Sequence, residues 1–520
     1  MYNYIINLKN SQSYNKTIRL LVILTILSLF FPLRHVFLTK EAYLTGAYSD
    51  FTSFSLYLSD ILIFLLATIV IIPRGKKIWL KIKAFRLTSF PLLFPIPYSL
   101  FPIFLLTLAI LLAFITHFGL NIRLNAYLLI KWLELIVAYG TFEILFEQNS
   151  LKIIFLRLFA WLCGLESIIA LIQFVRQSSL GLYRLGESHL APNILGVAKI
   201  VSGGTTFIRG YGTFPHPNPF SAFLVVGIII TIYLLNNSTN KKSAGLYSIL
   251  LFINILGLTV TFSRGAYLAL AVGLVVFFGL LFFRRHPDPE RVHPSEGEGS
   301  QTRDSSASTF AKATADKSDA LGLRMTPVII VVLISIVISF FLFKPFLLTR
   351  ATFSDQSTIA REFYDVTGVK MALKNPIFGI GLGESVLHME QYSGRSLAPW
   401  DKQPPHNYFI IAAAELGIPA MLILVWMFLA HLSRLVKKLR TNKDFLLSTH
   451  STPLRFAQGS LFSFLLISIF CAFMLLMLFD HYFYDLNQTQ LLLWIFLALI
   501  SSAIQKPSPS EERGRGEVAS

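Results

Sequence analysis

The chain has 520 residues, 54% of them hydrophobic and only 14% charged, and carries a formal net charge of +17. A soluble domain has roughly a quarter charged residues, so this composition excludes an ordinary water-soluble fold. Nor does the charge point to nucleic acid. Lys and Arg gather in short stretches between apolar runs, as in Arg74-Gly75-Lys76-Lys77 and Arg434–Arg440, with no basic stripe interleaved with aromatics.

Runs such as Leu20–Phe31, Val225–Leu235 and Val328–Phe343 are apolar all round. A helix needs roughly 20 mostly apolar residues to cross the hydrocarbon core. The expected fold is therefore an all-α integral membrane protein of about twelve transmembrane helices. The predicted spans are 20–38, 54–72, 98–116, 125–146, 153–174, 218–235, 246–262, 266–283, 327–345, 406–430, 461–479 and 489–504. The first apolar run lacks a small-residue cleavage site and is read as a retained anchor. With the N-terminus inside, most of the 45 Lys and Arg fall in or beside cytoplasmic loops, so both termini are expected on the cytoplasmic side.

This layout divides the chain in order. Membrane helices fill 1–174, and 175–285 holds an outer loop and the central helices. A Ser-, Ala- and charge-rich insertion at 286–325 is expected to be disordered and cytoplasmic. Residues 326–430 contain a long outer loop, 346–405, whose mixed composition and amphipathic stretch at Arg361–Leu373 suggest a folded cap. A cytoplasmic loop at 431–460, C-terminal helices at 461–504 and a disordered tail at 505–520 complete the chain. Cys163 and Cys471 both fall inside predicted spans and are read as packing residues.

Three elements on the predicted outer face carry polar chemistry. The first is Arg209-Gly210-Tyr211-Gly212-Thr213-Phe214-Pro215-His216-Pro217-Asn218-Pro219. Its Gly and Pro residues fix an irregular backbone at the membrane edge, leaving Arg209, His216 and Asn218 available to a ligand. Its alternative reading is a rigid re-entry loop with Asn218 capping the next helix. The second element, Thr261-Phe262-Ser263-Arg264-Gly265, sets Ser263 as an N-cap and Arg264 in the first helical turn. A cation there opposes the helix dipole, which suits a phosphate ligand; snorkelling to lipid headgroups is the other reading. The third is Pro404-Pro405-His406-Asn407-Tyr408, in which a neutral imidazole near a helix N-terminus can accept a proton from an attacking hydroxyl. A lone structural His is the alternative.

Other polar residues carry less. Glu415 lies nine residues beyond His406, roughly 13 Å deeper on the opposite side of a continuous helix, and is expected to pair elsewhere. Lys131 and Glu134, three apart, can satisfy each other. His388, His406 and His481 lack metal-ligand spacing, Glu384 with His388 alone is thin, and neither a P-loop nor a dinucleotide fingerprint occurs.

In this order and on this topology, the elements resemble the O-antigen ligase and O-antigen polymerase superfamily. The resemblance includes the Arg209–Asn218 segment, the Thr-x-Ser-Arg-Gly of Thr261–Gly265, Arg361 at the opening of the long loop, and the glycine-rich run Asn375–Gly383. It closes with His406, Asn407, Glu415 and Gly417, and extends to Asp480-His481-Tyr482 and Gln488–Trp494. The insertion at 286–325 departs from the pattern. The resemblance implies a metal-independent glycosyltransferase without cofactor, acting on a glycan carried by undecaprenyl diphosphate at the outer face of the cytoplasmic membrane. It implies that Arg264 and Arg209, with Arg361, neutralise the diphosphate, and that His406 deprotonates or orients the acceptor hydroxyl. His216, Asn218 and Asn407 are further binding candidates, and Asp480 and His481 weaker ones. Ligase, polymerase and protein O-oligosaccharyltransferase share these motifs, so the acceptor is a glycan, a lipid or a protein. A flippase or transporter for lipid-linked sugars is the rival from another class, disfavoured because the arginines and the histidine concentrate at one face rather than along a path.

Overall fold

The computed structural model describes residues 12–44, 46–74, 100–117, 121–285, 304–351, 356–448 and 453–504, and these are mostly helical. In chain order the long helices are α1 (Gln12–Phe30), α2 (Leu58–Ile71), α3 (Leu100–Thr116), α4 (Ile122–Leu145), α5 (Asn149–Arg176), α6 (Pro217–Asn236) and α7 (Lys241–Thr261). They continue as α8 (Arg264–Arg285), α9 (Asp304–Ala351), α10 (Gln356–Lys374), α11 (Tyr408–Leu416), α12 (Ile418–Ser448), α13 (Pro453–Phe479) and α14 (Asn487–Ile504). Among the described residues, nine helices are long and apolar enough to cross a membrane; α2 and Phe101–Thr116 of α3 are apolar but shorter. The chain is a multi-pass membrane protein.

Each predicted span meets a helix, with shifted ends. The first helix stops at Phe30, not at residue 38, because Pro32 cannot continue it. Residues Arg34–Phe37 instead form a strand paired antiparallel with Phe54–Tyr57, so the second span begins at Leu58 rather than 54. Between them lies a second small hairpin, Tyr43–Leu44 with Ala47–Tyr48. The third hairpin, Lys199–Ser202 with Thr205–Ile208, sits in the loop before α6.

The predicted span 406–430 is corrected most. It divides into α11 and α12 at Gly417, and the segment apt for crossing is Ile418–Arg440. Gly417 has φ +90°, and a Cβ there would lie 2.1 Å from the Ile377 carbonyl oxygen. Gly379, at φ +68°, would likewise meet the Glu415 carbonyl at 2.4 Å. Backbone bonds from Ile380 to Ala414, Gly381 to Glu415 and Ile418 to Pro376 seal the glycine-rich loop against this break. The two glycines are needed because only glycine tolerates both the left-handed backbone and the close approach.

The loop expected at 431–460 is also mostly helical. Helix α12 continues to Ser448, and α13 begins at Pro453. Residues 304–325 of the expected disordered insertion are drawn as the start of α9, in keeping with their Ala, Lys and Leu content. The remainder of that insertion, 286–303, and the tail 505–520 lie outside the described residues.

Helix α6 is the centre of the bundle: 94% of its apolar window is buried, against 28% for α8 and 22% for α9, which turn apolar surface outward to lipid. It packs against α5, α7, α8 and α13. Inside the bundle, Lys131 of α4 bonds Glu134 at 3.0 Å and also holds Asp60 of α2, so these charges are mutually compensated.

Candidate functional site

One end of the bundle gathers the loop after α1, the loops before α6 and after α9, the α7–α8 turn and the α13–α14 connection. Local backbone geometry sets the participants. Helix α7 ends with Phe262 in the left-handed region, φ 47°, an uncommon conformation for a residue with a side chain. Its ring is fully buried against Phe174, Phe343 and Phe346, which offsets that strain and fixes where α8 starts with Arg264. Asn407 caps α11, accepting from the backbone N–H groups of Phe409 (2.9 Å) and Ile410 (3.2 Å), while its amide donates to the Leu478 carbonyl at 3.0 Å. It thereby holds the neighbouring His406 beside the end of α13.

Asp480 is the hub. Its Oδ2 accepts from Asn218 Nδ2 at 2.8 Å and faces Arg361 Nη2 at 3.4 Å. Its Oδ1 accepts from the His481 backbone N–H at 3.0 Å and lies 3.5 Å from His406 Nδ1. Arg209 braces this hub from behind, donating from Nη2 to Asn218 Oδ1 at 2.9 Å and from Nε to the Thr261 carbonyl at 2.5 Å. The first two sequence elements are thus tied together through a buried guanidinium, 4% exposed. Arg361 is the more open member, its side chain one-third exposed. Arg264 donates to Thr358 Oγ1 at 3.0 Å. Thr358 stands three residues before Arg361 on α10, so Arg264 lies within a helical turn of the hub.

The charge states follow from burial and neighbours. Burial pushes the His406 imidazole below its ordinary value, and the adjacent Asp480 carboxylate opposes this only in part. Burial alone would raise Asp480, but His406, Arg361 and His481 outweigh it and hold the carboxyl well below the usual range. His481 is lowered by burial but raised overall by Asp485, whose Oδ2 meets its Nδ1 at 2.6 Å, and by Asp480. The site therefore presents a neutral base, a fixed carboxylate and several guanidinium groups near neutral pH.

The alternative reading of the first element is corrected. Asn218 does not cap α6: His216 does, its Nδ1 accepting from the Asn218 N–H at 3.1 Å. Burial, reinforced by Arg209, pushes His216 down to about 3, so the ring that caps α6 is neutral. Glu415, as expected, pairs away from His406, accepting from the Gly383 N–H (2.8 Å), the Ser385 N–H (3.3 Å) and the Tyr484 hydroxyl (3.0 Å).

The structure also brings in residues that sequence reasoning passed over. Arg350, at the end of α9, donates from Nε to the Phe262 carbonyl at 3.3 Å and is close enough to bear on Arg209. An Arg at a span terminus looks like any interfacial charge, so the sequence offered no signal. Asp365 follows Arg361 by one turn on α10 and faces the His406 backbone; burial raises its carboxyl to about 6. The Arg-x-x-x-Asp spacing on an amphipathic helix was the available signal.

His406, Asp480 and His481 place one ligand atom each within 4.8 Å of one another, a donor set fit for a divalent cation that their sequence separation hid. Arg361 supplies positive charge at the same carboxylate, which is unfavourable for a second cation. Glu384, by contrast, is engaged by Asn121 and Asn125 at 3.0 Å, with His388 at 3.5 Å, at a separate place.

A comparison with protein-family models matches residues 249–425 to the family described as O-antigen ligase, a segment running from α7 through Arg264, Arg361 and His406 into α12. A search of curated proteins finds no match. The family is one of membrane glycosyltransferases, and lipid-linked glycans are the donors it implies. Residues 249–425, set within a mostly helical multi-pass bundle, are thus similar to the O-antigen ligase family.

Proposed function

We propose that the protein transfers a glycan from undecaprenyl diphosphate to an acceptor hydroxyl at the outer face of the cytoplasmic membrane, without a metal ion. The observation that carries this reading is the convergence on Asp480 of Asn218, Arg361 and His406, residues that bring a base and phosphate-binding chemistry to one end of the bundle. The acceptor oxygen bonds to the anomeric carbon while the bond from that carbon to the diphosphate breaks, its electron pair leaving on phosphate. His406 takes the hydroxyl proton, and the ionised Asp480 stabilises the imidazolium that forms. Arg264, Arg361 and Arg350 meet the charge developing on the leaving diphosphate, where guanidinium groups act best with little competing water. Arg209 and Asn218 hold the hub in register.

The compensated Asp60–Lys131–Glu134 group favours an enzyme over a flippase, because it joins charges to one another rather than lining a route. The test is transfer in vitro from an undecaprenyl-diphosphate glycan, wild type beside Arg264→Ala and His406→Ala, with candidate acceptors offered separately. Release of undecaprenyl diphosphate that needs both residues and one acceptor is the expected result. Undiminished release in His406→Ala removes its role as base, and movement of donor across a vesicle bilayer without transfer supports the flippase.

A further inference from the structure

The two carboxylate oxygens of Asp480 are used differently. Oδ2 takes the Asn218 amide at 2.8 Å and faces Arg361 at 3.4 Å. Oδ1 accepts from the His481 backbone N–H and also faces two imidazole nitrogens, His406 Nδ1 at 3.5 Å and His481 Nε2 at 3.8 Å. His406 Nδ1 is buried and makes no hydrogen bond among the described residues. Such an atom in a folded protein calls for an explanation, and an ion is one. Tetrahedral bonds of about 2.0–2.1 Å from zinc to nitrogen or oxygen set neighbouring ligand atoms roughly 3.4 Å apart. The two imidazole–carboxylate separations are close to that, and one ligand atom from each of the three residues lies within 4.8 Å of the others.

Behind His481 stands Asp485, whose Oδ2 meets His481 Nδ1 at 2.6 Å. This bond puts a ring proton on Nδ1 and leaves Nε2, the nitrogen that faces Asp480, for a metal. A carboxylate on the far nitrogen is the usual support of a metal-bound histidine. Charge bears on the site as well. Arg361 opposes a cation, but it faces Oδ2 rather than Oδ1, and its side chain is one-third exposed, with room to turn to water. Against it stand three carboxylates, Asp480, Asp485 and Asp365, the last with a buried and unpartnered Oδ1. Two imidazoles and a carboxylate suit zinc and its neighbours in the first transition row, whereas Mg²⁺ and Ca²⁺ prefer oxygen ligands throughout.

We propose that His406, Asp480 and His481 form an inhibitory site for a zinc-class divalent cation, with Asp485 orienting His481 behind it. In the mechanism proposed above, transfer needs no such ion. An ion here bonds to the imidazole and the carboxylate on which removal of the acceptor proton depends, so the hydroxyl is not activated and transfer stops. The inhibition rests on the glycosyltransferase reading; the binding of the metal does not.

The experiment uses the full chain, without a histidine tag, in phosphatidylcholine nanodiscs after EDTA treatment and desalting. Co²⁺ alone is titrated, and a visible ligand-field band saturating at one ion per chain is expected, displaced by Zn²⁺ but not by Mg²⁺ or Ca²⁺. His481→Ala should abolish the band, and Asp485→Asn should weaken affinity about 10- to 100-fold, the usual cost of losing the support of a metal-bound histidine. His388→Ala, beside the separate Glu384, should keep it. No band in wild type, or an unchanged one in a His481→Ala protein with the wild-type size-exclusion profile, overturns the proposal. If neither site variant folds, X-ray absorption at the zinc edge of the wild type decides: two imidazoles around the ion support the site, and a shell without imidazole overturns it. Release of undecaprenyl diphosphate is followed in parallel. Zn²⁺ should stop it and EDTA restore it, with Asp485→Asn needing about 10- to 100-fold more Zn²⁺ for the same loss. Full release by a metal-loaded protein overturns the inhibition, and release with no metal binding refutes the site and leaves the enzyme. Metal binding by a protein that releases nothing with any acceptor refutes the enzyme reading and the inhibition with it, leaving the metal site.

Discussion

Asn218 and Asp480, 262 residues apart, are joined by a 2.8 Å hydrogen bond from the Asn218 amide to the Asp480 carboxylate. The bond ties the start of α6, the most buried helix, to the connection that also holds His406 and Arg361. Asp480 is thus the residue whose loss should disturb most of the site at once.

Asp480→Asn is expected to lower kcat about 100-fold, in the range typical of removing support from acid–base catalysis. Asn218→Ala should cost less, and the double variant less than the sum, since the two side chains act through one bond. Steady-state kinetics on all three proteins measures the coupling; full additivity contradicts it.

The pH profile follows from the direction of the His406 shift. A base must be unprotonated to act, and burial lowers His406 below its ordinary 6.5. The acidic limb of kcat/KM should therefore lie below pH 6.5, with activity lost as pH falls through it. Asp480 favours the imidazolium, so Asp480→Asn should move the limb further toward acid. A limb above 6.5 in wild type is incompatible with this assignment.

Arg264→Lys should lose about 10- to 100-fold in transfer, the equivalent of one or two charge-assisted bonds. Lysine keeps the charge but cannot present a planar fork to phosphate. Wild-type activity in this variant would make Arg264 an ordinary interfacial charge.

EDTA should leave transfer intact. The grouping of His406, Asp480 and His481 makes this a demanding test, because its ligand atoms suit a cation. Loss of activity restored by a divalent ion would give that cluster a metal and overturn the metal-free mechanism.

Gly417→Ala should destabilise the fold by about 3 kcal/mol or more, given a left-handed backbone and a Cβ 2.1 Å from the Ile377 oxygen. Thermal unfolding followed by fluorescence-detected size exclusion reads this directly. An unchanged Tm would mean that the glycine-rich loop does not lie against the α11–α12 break.

Much of this protein was legible in one dimension. Low charge and repeated apolar runs dictate a membrane bundle, because backbone polar groups in hydrocarbon must be satisfied within helices. The polar elements at Arg209, Arg264 and His406 stood out because charge, proline and glycine are conspicuous between such runs. What each residue does was less legible. His216 rather than Asn218 caps α6 and Asn218 bonds Asp480, since a cap is decided by local backbone angles and the partner of a side chain by distant packing. The split at Gly417 was hidden because α11 and α12 read as one apolar stretch until the loop at 375–383 is folded against them.

The sequence by itself determined the solvent, the helices and the chemical types of the candidate residues, all of which depend on composition over short windows. Only the tertiary structure decided that Asp480 is the hub, that Asp365 adjoins it and that Arg350 comes close to Arg209. Those relationships join segments far apart in the chain, and they arise when helix faces pack rather than from any local preference.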